Sequence, residues 1–373
     1  MIPYNKPYFS GKELEYMKNV CYSATMSGNG EYTKKCQAFF EERYGFKKCF
    51  LTTSGTDALE MCAMLCKLKN GDEVIIPSYT FVSTALAFMR EGASIVFADS
   101  SSSSPNITAE IIEPLITERT KVIALVHYAG IACDMDAIMA LADKYNLLVV
   151  EDAAHAIDSF YNGKPLGGIG HFSAFSFHET KNISCGEGGL LVVNKEEFIP
   201  RSEILWEKGT NRSAFYRGAV DKYGWVDMGS SFLPSEFNAA YLWAQLENLD
   251  DIQEKRKYIW RKYYDGLKGH IDESNMTLPF VPNYATVNGH IFYIICSSLD
   301  YRTNLMAYLK ENGIQSTFHY IPLHSSEFYK QRYKGTDLPN CNKYGDCLVR
   351  LPLYYSLSDN AIDRIVKLIS DYR

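Results

Sequence analysis

The stretch VIALVHYAGIACDMDAIMALADKYNLLVVEDAAHA, residues 122–156, contains two apolar runs that flank a segment with helical spacing. The apolar runs predict buried strands, and residues 135–145 predict a helix between them. The same alternation of strand and helix patterns runs through residues 74–115. Strands that alternate with helices pair into a largely parallel sheet. We therefore expect an α/β fold.

Asp152 stands at the carboxyl end of the second apolar run, after Glu151. In parallel sheets, ligands bind at the carboxyl ends of the strands. Because an unpaired buried carboxylate is costly, Asp152 must face water or a cation. A pyridinium nitrogen would satisfy it. An aspartate that caps the next helix is an equal alternative, and His155 fits a supporting hydrogen bond.

A Ser/Gly/Thr turn precedes a helical pattern in CFLTTSGTDALEMCAMLCKLK, residues 49–69. Ser54, Gly55 and Thr56 therefore stand where a helix begins. Such a helix end presents unpaired N–H groups and binds phosphate readily. An ordinary helix cap explains the same residues, so the turn indicates a phosphate site only in combination with other features.

The loop PSYTFVST, residues 77–84, places Tyr79 and Phe81 between a predicted strand and a predicted helix. A planar cofactor could stack on either aromatic ring at that position. Packing in the core is at least as good an explanation for either residue alone.

Lys181 lies at the centre of FSFHETKNISCGEGG, residues 175–189, before a glycine-containing turn. A lysine in a desolvated pocket loses proton affinity and becomes an amine nucleophile toward a carbonyl or pyridoxal phosphate. A solvated loop lysine is the commoner case, because buried lysines are rare. The turn at 186–189 would allow the neighbouring strand-like segments to bring Lys181 to a ligand.

The composition, with 46% hydrophobic and 22% charged residues, is ordinary for a soluble globular protein. At 373 residues the chain is long enough for two domains. Its net charge of −6 gives no general electrostatic reason to bind nucleic acid or an anionic membrane. A local basic pocket for a phosphate-bearing small molecule is compatible with that charge.

Targeting signals and metal motifs are not evident. The first residues, MIPYNKPYFSGKELEYM, contain no apolar signal core, and no apolar run is long enough to span a membrane. The ten cysteines include no CxxC pair, and no histidine cluster has zinc-ligand spacing. We expect a reduced, cytoplasmic protein without a structural metal.

The pattern changes in the last third of the chain. Residues 208–235 are polar and aromatic with little periodicity, which is typical of a functional or mobile segment. From about residue 268 the order of elements indicates a small α+β domain. We predict a large domain at 1–250 and a small one at 251–373. The elements predicted for the small domain are strands at 277–280, 290–296 and 314–318 and helices at 302–312, 340–349 and 359–370.

Four motifs in this order, TSGT at 53–56, PSYTFVST, VVEDAAHA at 149–156 and SFHETKN at 176–182, resemble the sugar-nucleotide aminotransferases, a family of pyridoxal-phosphate enzymes with the aspartate-aminotransferase fold. The resemblance spans essentially the whole chain. It implies fold type I: a large α/β/α domain with a mostly parallel seven-stranded sheet, and a small C-terminal α+β domain. It also implies pyridoxal 5′-phosphate as cofactor and a homodimer with shared active sites.

The resemblance assigns roles to the motif residues. Lys181 would hold the cofactor covalently and carry the proton during transfer, and Asp152 would pair with the pyridinium nitrogen. Phe81 would stack on the ring and His155 would contact its hydroxyl side. The residues that would hold the phosphate are Ser54, Gly55, Thr56 and Ser176.

One departure from the family pattern concerns the contact between subunits. Many members carry an Asn-Tyr-Arg run where this chain has Ser231, Phe232 and Leu233. We expect Ser231 to reach a phosphate across the dimer interface. The predicted substrate contacts are Lys208, Arg212 and His319, with surface charges and an ordinary loop histidine as the alternative.

Within the family, segments such as MIPYN, VHYAG and FHYIPLH most resemble the subgroup that transfers an amino group from L-glutamate to dTDP-4-oxo-6-deoxyglucose. The implied product is dTDP-4-amino-4,6-dideoxygalactose, which would supply surface polysaccharide assembly. The gluco epimer and a 3-keto sugar substrate stay open. A related dehydratase is disfavoured, because in the family that chemistry goes with histidine in place of Lys181.

Two hypotheses come from other classes of protein. A nicotinamide-dependent epimerase would also alternate strands and helices, but no GxGxxG motif follows the first strand. A non-catalytic binding protein on the same fold would have no need of both Lys181 and Asp152.

Overall fold

The computed structural model describes residues 1–372 as an α/β protein organised around one large sheet. The strands are β1 Lys48–Thr52, β2 Glu73–Pro77, β3 Ser94–Ala98, β4 Thr120–Val126, β5 Leu148–Asp152, β6 Phe160–Tyr161, β7 Lys164–Pro165, β8 Phe172–Ser176, β9 Gly189–Val193, β10 Met276–Thr277, β11 Phe292–Cys296 and β12 Leu348–Leu351. The helices are α1 Glu13–Tyr22, α2 Glu31–Tyr44, α3 Gly55–Leu65, α4 Val82–Arg90, α5 Ala109–Ile112, α6 Met135–Tyr145, α7 Ile199–Trp206, α8 Arg212–Tyr216, α9 Glu236–Leu246, α10 Leu249–Leu267, α11 Leu299–Glu311, α12 Pro339–Cys347 and α13 Asp359–Asp371.

The large sheet has seven strands in the order β1-β9-β8-β5-β4-β2-β3. Strand β9 runs antiparallel to both of its neighbours, β1 and β8, and the remaining pairs are parallel. The predicted α/β fold with a mostly parallel seven-stranded sheet is therefore confirmed.

Helices cover both faces of this sheet, as the alternation of side chains requires. On β2, Val74 and Ile76 belong to one hydrophobic core and Ile75 to another. The first core includes residues of α3 and α4, and the second includes residues of α2 and α6. The layers therefore follow the α/β/α arrangement.

Two glycines let the start of α3 lie directly against the end of the β8–β9 pair. A Cβ atom added to Gly189 would overlap the backbone carbonyl of Ser54. One added to Gly55 would lie 2.8 Å from Cβ of Ser176. The helix start and the loop that follows β8 are thus brought together by the absence of two side chains.

The C-terminal part forms a second, antiparallel sheet, β10-β11-β12. The strand predicted at 314–318 is wrong, since Ile314 and Thr317 form only isolated bridges, with Ile2 and Arg350. The helix predicted to reach residue 349 ends at Cys347, where β12 begins. A short apolar run such as LVRL is compatible with either element, and pairing with β11 makes it a strand.

The predicted domain boundary at residue 250 falls at the beginning of a long helix. Helix α10 starts at Leu249 and runs to Leu267, so the boundary lies inside it. The division into 1–250 and 251–373 stays a prediction. Among residues 1–372, no helix is both long and apolar enough to cross a membrane.

We predict that Gly189→Ala destabilises the protein by about 1–3 kcal/mol, because the added methyl group must displace the backbone of Ser54. Urea unfolding with and without pyridoxal phosphate measures the effect, and cofactor affinity should fall as well. Gly224→Ala is the matched control, since a Cβ atom there meets nothing within 4 Å. Equal midpoints for the two variants would show that the close approach is unimportant.

Candidate active site

A cavity of about 530 Å³ lies where the ends of β5 and β8 meet the beginnings of α3 and α4. It includes residues from the C-terminal part of the chain as well. The predicted site residues that line it are Ser54, Gly55, Thr56, Phe81, Asp152, His155, Ser176, Lys181 and His319.

The beginning of α3 offers free donors to this cavity. Ser54 caps the helix by accepting a hydrogen bond from the N–H of Asp57 at 3.0 Å. The N–H groups of Gly55 and Thr56 have no protein acceptor among residues 1–372. The Thr56 hydroxyl lies 2.8 Å from the Ser83 hydroxyl. Ser54 therefore caps the helix, and the N–H groups of Gly55 and Thr56 are left as hydrogen-bond donors suited to a phosphate.

Asp152 is the last residue of β5 and points to the face opposite Glu151. Glu151 is fully buried and accepts hydrogen bonds from the N–H groups of Gly167, Ile169 and Gly170. Among residues 1–372, the carboxylate of Asp152 accepts hydrogen bonds only from the Thr84 hydroxyl at 2.7 Å and the Ala154 N–H at 3.1 Å. The two neighbouring carboxylates therefore differ. The hydrogen-bond acceptors of Glu151 are occupied by backbone N–H groups, whereas Asp152 faces the cavity.

Burial raises the pKa of Asp152, while the hydrogen bonds from Thr84 and Ala154 act against that rise. A buried carboxylate in this state gains most from a cationic partner. A protonated ring nitrogen would supply one. Because Asp152 also accepts from Ala154, two residues on, capping and ligand binding are compatible here.

Lys181 lies in the loop between β8 and β9. Its amine has no protein hydrogen-bond partner among residues 1–372, and burial lowers its pKa to about 8 against the opposing attraction of Asp152. A neutral amine is therefore accessible near neutral pH, as a carbonyl nucleophile requires. The predicted alternative of a solvated loop lysine does not describe this environment.

Three histidine rings stack beside Lys181. The ring centroid of His155 lies 4.2 Å from that of His290 and 5.8 Å from that of His319. Burial lowers the pKa of all three rings, and the charge of Lys181 lowers them further. His155 Nδ1 accepts a hydrogen bond from the Ala129 N–H at 3.2 Å, so the proton of the neutral ring is on Nε2.

The two aromatic residues of the 77–84 loop have different environments. Tyr79 is 1% exposed and belongs to the core, as the alternative explanation proposed. Phe81 is 55% exposed at the start of α4, and its ring centroid lies 6.2 Å from that of Tyr320. Phe81 is thus the ring that a planar ligand in the cavity could contact.

Lys208, Arg212 and Ser231 lie elsewhere. They line a separate cavity of about 320 Å³ together with Ser27 and Pro234. Backbone bridges hold this region together, among them one between Glu207 and Ser231. Within one chain the structure gathers these three residues but does not bring them to Lys181.

Several residues of the main cavity are not among the predicted site residues. His178, His290, Tyr320 and Arg350 line it, and Thr84 bonds to Asp152. Tyr320 belongs to the quoted FHYIPLH loop, and Arg350 interrupts the apolar run CLVRLPL, which is a detectable signal. His290 has no local signal, because only the fold places it beside His155. No group of three His, Cys, Asp or Glu side chains suited to a metal exists within residues 1–372.

The residues present fit pyridoxal phosphate. The unpaired N–H groups of Gly55 and Thr56 suit its phosphate, Asp152 suits its ring nitrogen and the Lys181 amine suits its aldehyde. The cavity and the fold together define the class of pyridoxal-phosphate-dependent aminotransferases.

Comparison with known proteins gives the family. Residues 7–370 match the DegT/DnrJ/EryC1/StrS aminotransferase family, and the chain belongs to it. The spore coat polysaccharide biosynthesis protein SpsC of Bacillus subtilis is 31% identical over 99% of this chain and 96% of its own.

Solved structures agree with this assignment. Spr1654 from Streptococcus pneumoniae has a TM-score of 0.91 and 26% identity over 99% of this chain and 98% of its own in the pyridoxamine-phosphate form. It has also been solved in the pyridoxal-phosphate form. DesV from S. venezuelae has a TM-score of 0.90 and 27% identity over 100% and 98%. The protein is a pyridoxal-phosphate-dependent aminotransferase, so the predicted enzyme class and cofactor are confirmed.

The lowered pKa of Lys181 gives a pH prediction. In cofactor-free protein, acetylation of Lys181 should rise with pH with an inflection near pH 8, because only the neutral amine reacts. In Asp152→Asn the inflection should move to lower pH, since the carboxylate that favours the ammonium form is gone. Peptide mass spectrometry after pulsed acetylation measures both profiles. An inflection above pH 10 in the wild type would contradict the desolvated environment.

Proposed function

We propose that this enzyme transfers an amino group from L-glutamate to the C4 keto carbon of dTDP-4-oxo-6-deoxy-D-glucose and gives dTDP-4-amino-4,6-dideoxy-D-galactose for surface polysaccharide biosynthesis. The observation that carries the transfer chemistry is one cavity that joins Lys181, Asp152 and the free donors of α3. The sequence motifs support the sugar substrate, and SpsC, a polysaccharide biosynthesis protein by name, is similar over nearly the whole chain.

Bound pyridoxal phosphate supplies an electron sink for this reaction. In our proposal, Lys181 would anchor it and, as a neutral amine, would take up and return the proton of the donor's α-carbon. Asp152 keeps the ring nitrogen protonated, and Phe81 packs on the ring. His155 binds the hydroxyl side of the ring, and Ser54, Gly55, Thr56 and Ser176 hold the phosphate.

We also propose a homodimer in which Lys208, Arg212 and Ser231 serve the site of the partner subunit. Their cavity is separate from Lys181, and Nε of Arg212 is buried without a hydrogen-bond partner. The same segment exposes aromatic side chains to an extent typical of an interface. These are Tyr216 at 72%, Tyr223 at 54% and Trp225 at 79%. Arg212 has one carboxylate at ion-pair distance, Glu207 at 3.9 Å, and a second subunit would cover these rings and bring its own anionic ligand to the unpaired Nε.

His319 is proposed as a substrate contact within the same chain. It lines the main cavity, and its Nδ1 lies 2.9 Å from the Tyr128 hydroxyl. Two alternatives are open. The gluco epimer would form if hydrogen were added to the opposite face of C4, and a 3-keto dTDP-sugar would receive the amino group at C3.

We predict that wild-type enzyme with L-glutamate aminates dTDP-4-oxo-6-deoxyglucose at C4 with galacto configuration, and that Lys181→Ala loses turnover by at least about 10³-fold. Product NMR determines the aminated carbon and its configuration. Amine at C3 would contradict the proposed substrate, and the gluco epimer would contradict the proposed face of protonation. Full activity in Lys181→Ala would contradict the assigned role of the lysine.

A mixing experiment tests the shared site. Lys181→Ala and Arg212→Ala should each be inactive, but after dissociation and reassociation the mixture should regain about a quarter of wild-type activity, because half of the dimers then hold one intact site. Restoration would not occur if Arg212 acted within its own chain. Lys181→Ala mixed with Lys181→Ala is the matched control, and gel filtration gives the oligomeric state.

A further inference from the structure

His290 has one ring nitrogen that the protein leaves unpaired. This residue precedes β11, is 4% exposed and lines the cavity that contains Lys181. Its Nδ1 lies 2.7 Å from Oδ1 of Asn182, and its Nε2 has no hydrogen-bond partner among residues 1–372. What the ring offers to a ligand therefore depends on which of its two nitrogens carries the proton.

A chain of hydrogen bonds fixes that proton. A backbone carbonyl oxygen can only accept, and Nε2 of Gln253 donates to the carbonyl of Ile157 at 3.2 Å. Oε1 of Gln253 therefore accepts from Nδ2 of Asn182 at 2.8 Å, and the same Nδ2 donates to the carbonyl of Asn288 at 3.1 Å. Because Oδ1 of Asn182 is then an acceptor, Nδ1 of His290 is the donor. The lone pair of the neutral ring is on Nε2, which faces the cavity.

His155 has the opposite arrangement. Its Nδ1 accepts from the N–H of Ala129, so its proton is on Nε2. The rings of His155 and His290 stack with their centroids 4.2 Å apart. The stacked pair therefore offers the cavity one N–H donor and one nitrogen acceptor. The donor has a role in the proposed function, on the hydroxyl side of the cofactor ring, and the acceptor has none.

The partner that suits this acceptor is an uncharged donor. Burial and the charges of Lys181 and Arg256 lower the pKa of His290 well below its usual range, so the ring is neutral at pH 7 and its surroundings disfavour a cationic ligand. L-Glutamate offers two carboxylates, which only accept, and an ammonium group, which is a cation. A sugar offers hydroxyl groups. The sugar substrate, rather than the amino donor, therefore fits His290.

Lys181 indicates where on the sugar this hydroxyl group lies. A residue that moves a proton at the reacting carbon must be close to that carbon. Among the charged groups, Lys181 acts most strongly on the ring of His290, and Asn182, which orients the ring, is the next residue in the chain. In dTDP-4-oxo-6-deoxyglucose the carbons bonded to C4 are C3 and C5, and of these only C3 carries a hydroxyl group.

We propose that Nε2 of His290 accepts a hydrogen bond from the 3-hydroxyl group of the sugar substrate and so helps to place the C4 keto carbon at Lys181. Asn182 is the positioning residue, because it fixes both the orientation and the proton of the ring. The enzyme then distinguishes a hydroxyl group from hydrogen at C3, since a missing hydroxyl leaves a desolvated nitrogen unpaired. This contact rests on the proposed function and specifies how its sugar is recognised.

Matched substrates and variants test the contact. The pyridoxamine-phosphate form of the wild type should react with dTDP-4-oxo-6-deoxyglucose with a kcat/KM about 10-fold above that for the 3-deoxy analogue. His290→Phe keeps a planar ring but removes the acceptor. It should lower kcat/KM about 10-fold for the first sugar and leave the analogue within about threefold of the wild-type value. Stopped-flow absorbance measures both reactions.

Two further measurements separate a contact with the sugar from damage to the site. The reaction of the pyridoxal-phosphate form with L-glutamate involves no hydroxyl group, so its rate in His290→Phe should stay within about threefold of the wild type. His290→Gln can still accept through its amide oxygen and should recover part of the loss with the sugar. His270→Phe is the control, because it makes the same substitution at an exposed histidine and should match the wild type.

Nitrogen-15 NMR of the holoenzyme with labelled histidine examines the ring itself, with His290→Phe to assign the signal. Nε2 of His290 should give the signal of an unprotonated nitrogen. That signal should shift when dTDP-6-deoxyglucose binds, because this sugar has the 3-hydroxyl group but no keto group to react. The 3-deoxy form of the same ligand should not cause the shift.

A proton on Nε2, or equal discrimination between the two keto sugars in the wild type and His290→Phe, would overturn the proposal. So would an equal loss in both half-reactions, which would indicate that the ring is structural. Failure of the wild type to aminate dTDP-4-oxo-6-deoxyglucose would contradict the proposed substrate, and the NMR measurements with the unreactive sugars would still decide the role of His290.

Discussion

Desolvation at the carboxyl ends of β5 and β8 is the constraint on which the rest of the site depends. Two charges about 4 Å apart interact by about 1 kcal/mol in water but by about 4 kcal/mol at the effective dielectric constant near a protein surface. In the cavity, the same lack of water that shifts the pKa of Lys181 also raises that of Asp152 and keeps the stacked histidines neutral. A charged ligand that enters the cavity should therefore shift the pKa of each of these groups strongly.

The scaffold supports this by pairing the buried charge that lies next to Asp152 on β5. Glu151 shares a strand with Asp152, but its charged form is stabilised by hydrogen bonds from backbone N–H groups and by His127, whose Nε2 lies 2.9 Å away. Burial alone would raise the pKa of Glu151, yet these hydrogen bonds lower it. Arg256 and Arg350 form a second such pair of buried cations, one saturated and one open. The open groups of these two pairs, Asp152 and Arg350, line the cavity that contains Lys181.

Much of the fold and of the site could be predicted from local sequence patterns. The predictions that were wrong and the site residues that were missed all depend on contacts between distant parts of the chain. The strands around residues 122–156 and the helix start at Ser54 follow from apolar periodicity and turn residues, which act over a few neighbours. The strand predicted at 314–318 does not form because, within residues 1–372, this segment makes only isolated bridges, from Ile314 to Ile2 and from Thr317 to Arg350. Arg350 interrupts an apolar run, which is a local signal, but its place in the site, like that of His290 just before β11, depends on the long-range pairing of β11 with β12. Likewise, nothing in the spacing of Lys208, Arg212 and Ser231 separates them from Lys181, because that separation is a property of chain packing.

The pairing of β1 with β9 has a consequence for how the protein is made. These strands are neighbours in the sheet but come from residues 48–52 and 189–193, so loop closure over a long stretch of chain must precede their contact. During synthesis on the ribosome, the beginning of α3 can pack against β9 only after residue 193 has emerged. The ring of Tyr4 can contact Arg350 only when nearly the whole chain has been made. Until then β1 is an unpaired edge, and the aggregation risk of the nascent chain lies directly before the turn that we propose to hold the phosphate.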